Sequence, residues 1–335
     1  MIVLENEGFD AAFGPGSTAP FLSTELVRLG VLLRQYYAIG HTSLPNYLAM
    51  VSGQAPNLDT QGDCVVYTEF RTERPGLDEH GQASGRGCVY PREVPTLMDE
   101  FERAGLTWKG YMEDMGRDPR REAARCGHAR LGDVDPLLLA TPRDQYASKH
   151  NPFVYFHSVI DDPTRCVAHV VNLEELSHDL RSAATTPNYV FITPNLCHDG
   201  HDAPCADGEP GGLESADAFL REWVPRITHS AAFARDGLLV ITFDEAGGGP
   251  EGSTACCARP ALPRSAVPPG VNGPGGGRVG AVLMSPWISP GTTSSVPYNH
   301  YSLLRFSAAA FGLQPPGLAA SADTPLFGDD VFRPR

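Results

Sequence analysis

The residues best able to do chemistry stand where apolar runs end. Run 2–5 delivers Glu5-Asn6, and run 238–243 ends in Asp244-Glu245. Three carboxylates and an amide are hard oxygen donors of the kind that hold a divalent cation. With imidazoles in the shell the ion could be zinc, iron or manganese as well as calcium or magnesium. Such an ion polarises a phosphoryl oxygen and lets a weak hydroxyl nucleophile attack at ordinary pH. A hydroxyl is at hand in His41-Thr42-Ser43, which opens a helical pattern at 43–51 with Pro45 near its first position. The free N–H groups and macrodipole of a helix start also cradle an anionic phosphate. Ser43 could equally be an ordinary N-cap.

These residues need elements to bring them together. Short apolar runs rich in Val, Ile, Phe and Tyr at 2–5, 35–39, 107–112, 152–156, 189–193, 238–243 and 279–284 read as strands covered on both faces. Helical patterns fall between them at 24–33, 43–51, 96–104, 173–183, 216–227 and 301–311. Alternating strand and helix predicts an α/β fold, a doubly wound and mostly parallel sheet flanked by helices, in one domain spanning 1–335. Ligands in such sheets bind outside the carboxyl ends of the strands. Four strand ends therefore converge: Glu5-Asn6, His41-Thr42-Ser43, the cluster Asn195, His198, Asp199, His201 and Asp202 after 189–193, and Asp244-Glu245. An isolated Asp-Glu leading into Gly247-Gly248-Gly249 would be a solvent-facing turn; four polar strand ends on one edge favour a site. The Gly- and Pro-rich stretches 57–92 and 247–277 read as long surface loops at its rim.

Composition narrows the function classes. With 26 Lys+Arg against 40 Asp+Glu the formal charge is -14, which repels nucleic-acid phosphates. Apolar runs such as 237–243 are far shorter than a membrane-spanning helix, so no membrane span is expected. The eight cysteines lie mostly in loop-like sequence and lack the paired knuckles of a structural zinc site. Proximity along the chain pairs Cys64 with Cys88, Cys126 with Cys166 and Cys197 with Cys205, leaving Cys256 and Cys257 side by side; sequence alone does not fix connectivity. Disulfides imply a secreted or periplasmic protein, although no signal peptide precedes the first strand.

Motifs along the chain add a resemblance. Ile2-Val3-Leu4-Glu5-Asn6-Glu7-Gly8-Phe9-Asp10, Gly40-His41-Thr42-Ser43-Leu44-Pro45-Asn46-Tyr47, Lys149-His150-Asn151-Pro152-Phe153, Thr193-Pro194-Asn195-Leu196-Cys197-His198-Asp199-Gly200-His201-Asp202, Thr242-Phe243-Asp244-Glu245 and Tyr298-Asn299-His300-Tyr301-Ser302-Leu303-Leu304-Arg305 together resemble the bacterial phosphoesterase family of phospholipases C and acid phosphatases. The branch of secreted acid phosphatases and phosphatidylinositol-3-phosphatase-like enzymes is the nearest in pattern. The resemblance implies an alkaline-phosphatase-like fold and one divalent metal ion held by Glu5, Asn6, Ser43, Asp244 and Glu245. It makes Ser43 the nucleophile; Ser43-Leu44-Pro45-Asn46 also resembles the Thr-Phe-Pro-Asn signature of nucleotide pyrophosphatases. Many relatives have Pro where this chain has Thr42, so two adjacent hydroxyls compete. His201 and His300 would be catalytic, with Asn46, His198 and Asp202 on the substrate.

The implied activity is phosphomonoester hydrolysis, with a phospholipid headgroup among the esters to consider; the alternative is a phospholipase C-type phosphodiesterase. A sulfatase would need Arg in the Cys/Ser-x-Pro-x-Arg context, absent from Ser43-Leu44-Pro45-Asn46-Tyr47. A non-catalytic binding protein on a decayed scaffold would show gaps among the site residues, and none is missing. Lys149 and His150 precede run 152–156 at its amino end and are expected to be structural. His80, His128, His157, His169, His178 and His229 follow no pattern.

Overall fold

The structure is a computed structural model and describes residues 1–248, 250–257 and 273–333. Eight strands form the central sheet: β1 (Ile2–Leu4), β2 (Val31–Leu33), β3 (Trp108–Met112), β4 (Val170–Asn172), β5 (Tyr189–Thr193), β6 (Leu239–Phe243), β7 (Ala281–Met284) and β8 (Thr292–Ser294). Their order is β8-β2-β7-β6-β1-β5-β3-β4. All pairings are parallel except those of β7, which runs against both β6 and β2. The expected architecture is present, as a mixed sheet with one reversed strand. β1, β6 and β7 are buried along their whole length, as strands with helices or loops on both faces must be.

Helix Ser43–Ser52 is buried at every position and packs against helix His300–Ala309. The latter starts at a capping box in which Asn299 and Ser302 satisfy each other's backbone N–H groups. Helices Leu97–Arg103 and Gly212–Thr228 also match their expected patterns.

Five expectations change. The pattern at 24–33 is not one helix: a π-type turn Phe21–Leu26 and a short helix Val27–Leu29 stop at Gly30, and Val31–Leu33 enters the sheet. A Cβ at Gly30 would lie 2.3 Å from the Leu283 carbonyl oxygen, so only glycine lets the chain pass β7 this closely. Of the expected strand 35–39 only Tyr36–Tyr37 pairs, in a small parallel ladder with Tyr298–Asn299. The expected strand at 152–156 is a 3-10 turn, Pro152–Tyr155, because Pro152 has no N–H for a ladder. That turn packs on β3 at Gly110, where a Cβ would sit 2.3 Å from the Phe153 ring.

The pattern at 173–183 breaks into a 3-10 turn Leu173–Glu175 and a short helix Leu176–Asp179. Stretch 57–92 is not only loop: it contains an antiparallel hairpin, Arg71–Leu77 with Ala83–Arg86. Of stretch 247–277, residues 249 and 258–272 lie outside the described residues. The four cysteine pairs are those given by proximity, Cys64–Cys88, Cys126–Cys166, Cys197–Cys205 and Cys256–Cys257.

Candidate active site

Three adjacent strands, β5, β1 and β6, end beside one another and deliver the acidic core of the site. Glu5 follows β1 and is fully buried; its backbone N–H donates to the Asp199 carbonyl at 2.7 Å. Asp244 follows β6, and its N–H donates to the Leu4 carbonyl at 2.8 Å. Asn6 ties the two strand ends together. Its N–H donates to Asp244 Oδ1 and its side-chain amide to Glu245 Oε1, both at 3.0 Å. This needs Asn6 in the left-handed region at φ 54°, which Asn tolerates better than most residues. Ser43 closes the ring: its Oγ donates to Glu5 Oε2 at 2.7 Å, while Tyr47, one helical turn on, donates to Glu5 Oε1 at 2.6 Å.

A second set of side chains meets Glu5 from the other side. His150 Nε2 lies 3.2 Å from Glu5 Oε2, and His150 Nδ1 lies 3.8 Å from Asp199 Oδ2. Its ring stacks on Tyr47 with centroids 5.2 Å apart. His41 Nδ1 lies 3.2 Å from Glu245 Oε2. Lys149 Nζ lies 3.6 Å from Asp63 Oδ2. Burial opposes the Lys149 charge, but Asp63, Glu5, Asp244 and Asp199 outweigh it and raise its pKa.

The donor set fits a cation. Asp199 Oδ2, Asp244 Oδ2 and Glu245 Oε2 are buried and accept no hydrogen bond. Buried polar atoms are ordinarily paired, and of these three oxygens Glu245 Oε2 faces His41 and Asp199 Oδ2 faces His150, so Asp244 Oδ2 is the one that most calls for a cation. Burial works against ionised Glu5, yet His150, Lys149 and the Tyr47 hydroxyl bring its pKa down to about 2. Burial and the charge of Glu5 then push Asp199, Asp244 and Glu245 well above the ordinary carboxylate range. A divalent ion lets these groups ionise together. Among the described residues Glu5, His150 and Asp199 place ligand atoms within 4.8 Å of one another, whereas the carboxylates of Asp244 and Glu245 do not join Glu5 in so tight a group; Asn6 links them to the β1 end by hydrogen bonds.

The start of the Ser43–Ser52 helix is shaped for Ser43 but is not an open anion cradle. Leu44 N–H already donates to Asp63 Oδ1 at 2.9 Å, and the Thr42 N–H is taken by Glu245. Thr42 Oγ1 is buried without a hydrogen bond, whereas the Ser43 hydroxyl is anchored on Glu5. Asn46, expected on the substrate, is buried beneath the loop. It accepts from Ile39 and Gly40 N–H groups and donates to the Gly40 and Thr42 carbonyls, using its amide on the backbone that presents Ser43.

The expected histidines are distributed differently. His300 is fully buried, with Nδ1 3.1 Å from the Tyr36 hydroxyl and Nε2 2.6 Å from the Asp244 carbonyl oxygen, so it meets the site through backbone. His198 turns away to Glu113 Oε1 at 2.9 Å, which raises its pKa against the opposing effect of burial. His201 and Asp202 pair with each other at 3.3 Å, with side chains 51% and 40% exposed; only the His201 N–H reaches inward, to Asp199 Oδ1. Disulfide Cys197–Cys205 and the Asn195 side chain, which accepts from the Cys197 and His198 N–H groups, fix this loop. Tyr47, Asp63, Lys149 and His150 join the site beyond the expected set, while His41 and Asp199, expected among the converging strand ends but given no role, contact its carboxylates. For His41, His150 and Lys149 the signal was present in their motifs; for Asp199, in its place after a strand end.

The chain is 28% identical over 315 residues to a phosphate-repressible acid phosphatase of Penicillium chrysogenum, covering 93% of this chain and 58% of that one. It is 27% identical over 245 residues to a probable acid phosphatase of Kluyveromyces lactis, covering 73% and 46%. A phosphatidylinositol-3-phosphatase of Mycobacterium tuberculosis matches at 26% identity over 339 residues, covering 98% and 82%. The chain thus spans about half the length of the fungal relatives. Among solved structures, an alkaline-phosphatase-superfamily protein from Vibrio parahaemolyticus shares the fold at TM-score 0.51 and 11% identity, over 98% of this chain and 70% of that one. A phosphonate monoester hydrolase from Silicibacter pomeroyi does so at TM-score 0.51 and 13% identity, over 98% and 75%. The sequence model of the phosphoesterase family matches residues 16–314, and the chain belongs to that family.

Proposed function

We propose that the protein is a phosphomonoester hydrolase with Ser43 as nucleophile and a divalent cation at the carboxylate ring. The observation that carries this reading is the Ser43 hydroxyl held at 2.7 Å on Glu5, at the strand end beside buried Asp244, whose Oδ2 accepts no hydrogen bond. The acid phosphatase relatives support the same class. Glu5, Asn6, Asp244 and Glu245 would hold the ion, with Ser43 against it; when bound it supplies Lewis-acid polarisation of the phosphoryl group and of the attacking hydroxyl.

The chain's own residues then divide the work. Glu5 accepts the Ser43 hydroxyl hydrogen bond and so orients the Ser43 oxygen. His150 shares Glu5 Oε2 with Ser43, and we assign it as base and acid. The Ser43 oxygen attacks phosphorus as its proton passes to His150. The phosphorus–oxygen ester bond breaks, and the same proton goes to the departing alcohol oxygen. Water then attacks the phosphoserine, His150 takes its proton and returns it to Ser43, and phosphate leaves. Lys149 is the nearby cation that balances phosphoryl charge. Asn46 and His300 are positioning residues, acting through the 39–42 loop and the Asp244 carbonyl.

The disulfides support an oxidising, extracellular or periplasmic compartment for it. No helix among the described residues is long and apolar enough to cross a membrane. Turnover of an aryl phosphate monoester against the matching diester tests the assignment: monoester preference supports it, and diester preference favours the phospholipase C-type alternative.

A further inference from the structure

Asp63 sits against the start of the Ser43–Ser52 helix and has no part in the steps described above. Its place is built locally. Asn57 Oδ1 accepts the Asp59 and Thr60 N–H groups at 2.9 and 3.2 Å and so starts the 3-10 turn Thr60–Gly62. The Asp63 N–H closes that turn on the Thr60 carbonyl at 3.0 Å, and Asp63 and Cys64 then both take the left-handed conformation, at φ 50° and 52°. The Cys64 N–H donates to the Asp59 carbonyl at 3.0 Å, and disulfide Cys64–Cys88 ties the next step of the chain down. With the backbone fixed on both sides, the Asp63 carboxylate moves by rotation of its own side chain.

The two Asp63 oxygens meet two donors. Oδ1 accepts the Leu44 N–H at 2.9 Å, and Oδ2 lies 3.6 Å from Lys149 Nζ. A phosphoryl group under attack by Ser43 competes for the same pair. Its phosphorus must come to about 3–3.5 Å from Ser43 Oγ, and the Leu44 N–H belongs to the very next peptide, where the helix start favours negative charge. Lys149 is the cation assigned above to the phosphoryl charge. Asp63 thus holds, from within the chain, two donors suited to a phosphate oxygen. It also lies near enough to Glu245 for the two carboxylates to repel. Its side chain is 23% exposed, so rotation can carry the carboxylate out to solvent.

We infer that Asp63 is a displaceable carboxylate that competes with the phosphoryl group for the Leu44 N–H and Lys149, and so limits how tightly substrate and product phosphate are held. The inference rests on the phosphatase reading above and adds the residue that governs phosphate affinity and release. Phosphate binds a site whose donors are occupied part of the time more weakly, in proportion to the fraction of time they are free. Return of the carboxylate to the same donors helps phosphate to leave. Asp63 therefore acts on KM and on product inhibition, while Ser43 and His150 carry the chemical step.

The test is titration calorimetry of the metal-loaded protein with inorganic phosphate, beside kinetics on phenyl phosphate. Asp63→Asn keeps the side-chain shape and tolerates the left-handed backbone; Asp63→Gly removes the side chain at a φ that glycine accepts freely. Each is expected to bind phosphate about tenfold more tightly than the parent, with KM falling in step and kcat not rising. The gain should persist in about 1 M sodium chloride, where a screening length of about 3 Å removes diffuse repulsion. It should shrink when Lys149→Gln is added, because one contested donor is then gone. Equal or weaker phosphate binding by either variant with a parent-like Tm overturns the inference and leaves Asp63 a structural cap, and so does a gain that vanishes at high salt. If the ester is not turned over, the phosphatase reading fails by itself. Calorimetry still decides on Asp63: tighter phosphate binding in the variants sustains the competition, and its absence overturns it.

Discussion

The Ser43 hydroxyl and the Glu5 carboxylate, 38 residues apart in sequence, meet at 2.7 Å in a fully buried hydrogen bond. It joins the start of helix Ser43–Ser52 to the end of strand β1, and so holds the proposed nucleophile against a buried carboxylate of the site. Tyr47 holds the other Glu5 oxygen at 2.6 Å from the same helix.

Removing the second of these anchors should loosen the first. Tyr47→Phe leaves Glu5 Oε1 without its donor in a buried site, an expected loss of about 1–3 kcal/mol in unfolding free energy. Denaturant titration of the two proteins measures this, and an unchanged midpoint would show that Glu5 finds another partner.

The three histidines near the chemistry should separate by role. His150→Ala should lower kcat by about 100-fold or more, as expected for loss of a general acid–base. His300→Ala should act on the ion, weakening its affinity by about 10–100-fold because the Asp244 carbonyl loses its imidazole. His201→Ala, exposed and paired only with Asp202, should change kcat/KM by no more than about twofold. Steady-state kinetics with metal titration distinguish these outcomes. A His201 effect as large as that of His150 would reverse the assignment.

The site was legible in sequence wherever chemistry followed directly on a buried strand. Glu5-Asn6 and Asp244-Glu245 stand immediately after β1 and β6, and a two-residue motif there has little freedom to go elsewhere. His150 was hidden by a misread element. Residues 152–156 have the composition of a strand, which would put Lys149 and His150 at its far end, but Pro152 starts a 3-10 turn that swings His150 onto Tyr47. His198 and His201 misled for the opposite reason. They follow a strand end, yet the Asn195 side chain and disulfide Cys197–Cys205 turn the loop so that only backbone and Asp199 face the site. The edge strands β4 and β8, three residues each, are too short to carry a pattern.

Removal of the ion should be costly to the fold as well as to turnover. Without it, Asp199, Asp244 and Glu245 are left buried beside ionised Glu5. Exhaustive chelation is expected to lower the Tm and abolish activity, with both restored by a divalent ion. A protein with unchanged Tm and full activity after chelation has no such ion.

A pH effect is expected far from the site, where His157 clips the 57–92 stretch to the turn at 157–161. His157 Nε2 lies 2.6 Å from Glu69 Oε2 and Nδ1 lies 3.0 Å from Asp161 Oδ1. Burial opposes its charge, but the bonds to Asp161 and Glu69 prevail and raise its pKa above 6.5. A folded pKa above the unfolded one means the protonated form is favoured by folding. The clip's stabilisation is therefore complete below 6.5 and fades as pH rises through the folded value. Asp161, lowered chiefly by its bond to His157, sets the acid limit: its share fades as pH falls below its ordinary 3.8. In Tm against pH, His157→Ala should flatten the decline above neutrality. A variant whose profile parallels the parent's would show no such clip.

The most direct measurement is a rapid acid quench during turnover of a phosphomonoester, followed by digestion and mass spectrometry of the peptide that carries the phosphoryl group. The phosphoryl group is predicted on Ser43, and it should vanish together with turnover in Ser43→Ala while the fold persists. A phosphoryl group on Thr42, or near-normal turnover by Ser43→Ala, would contradict the role given to Ser43.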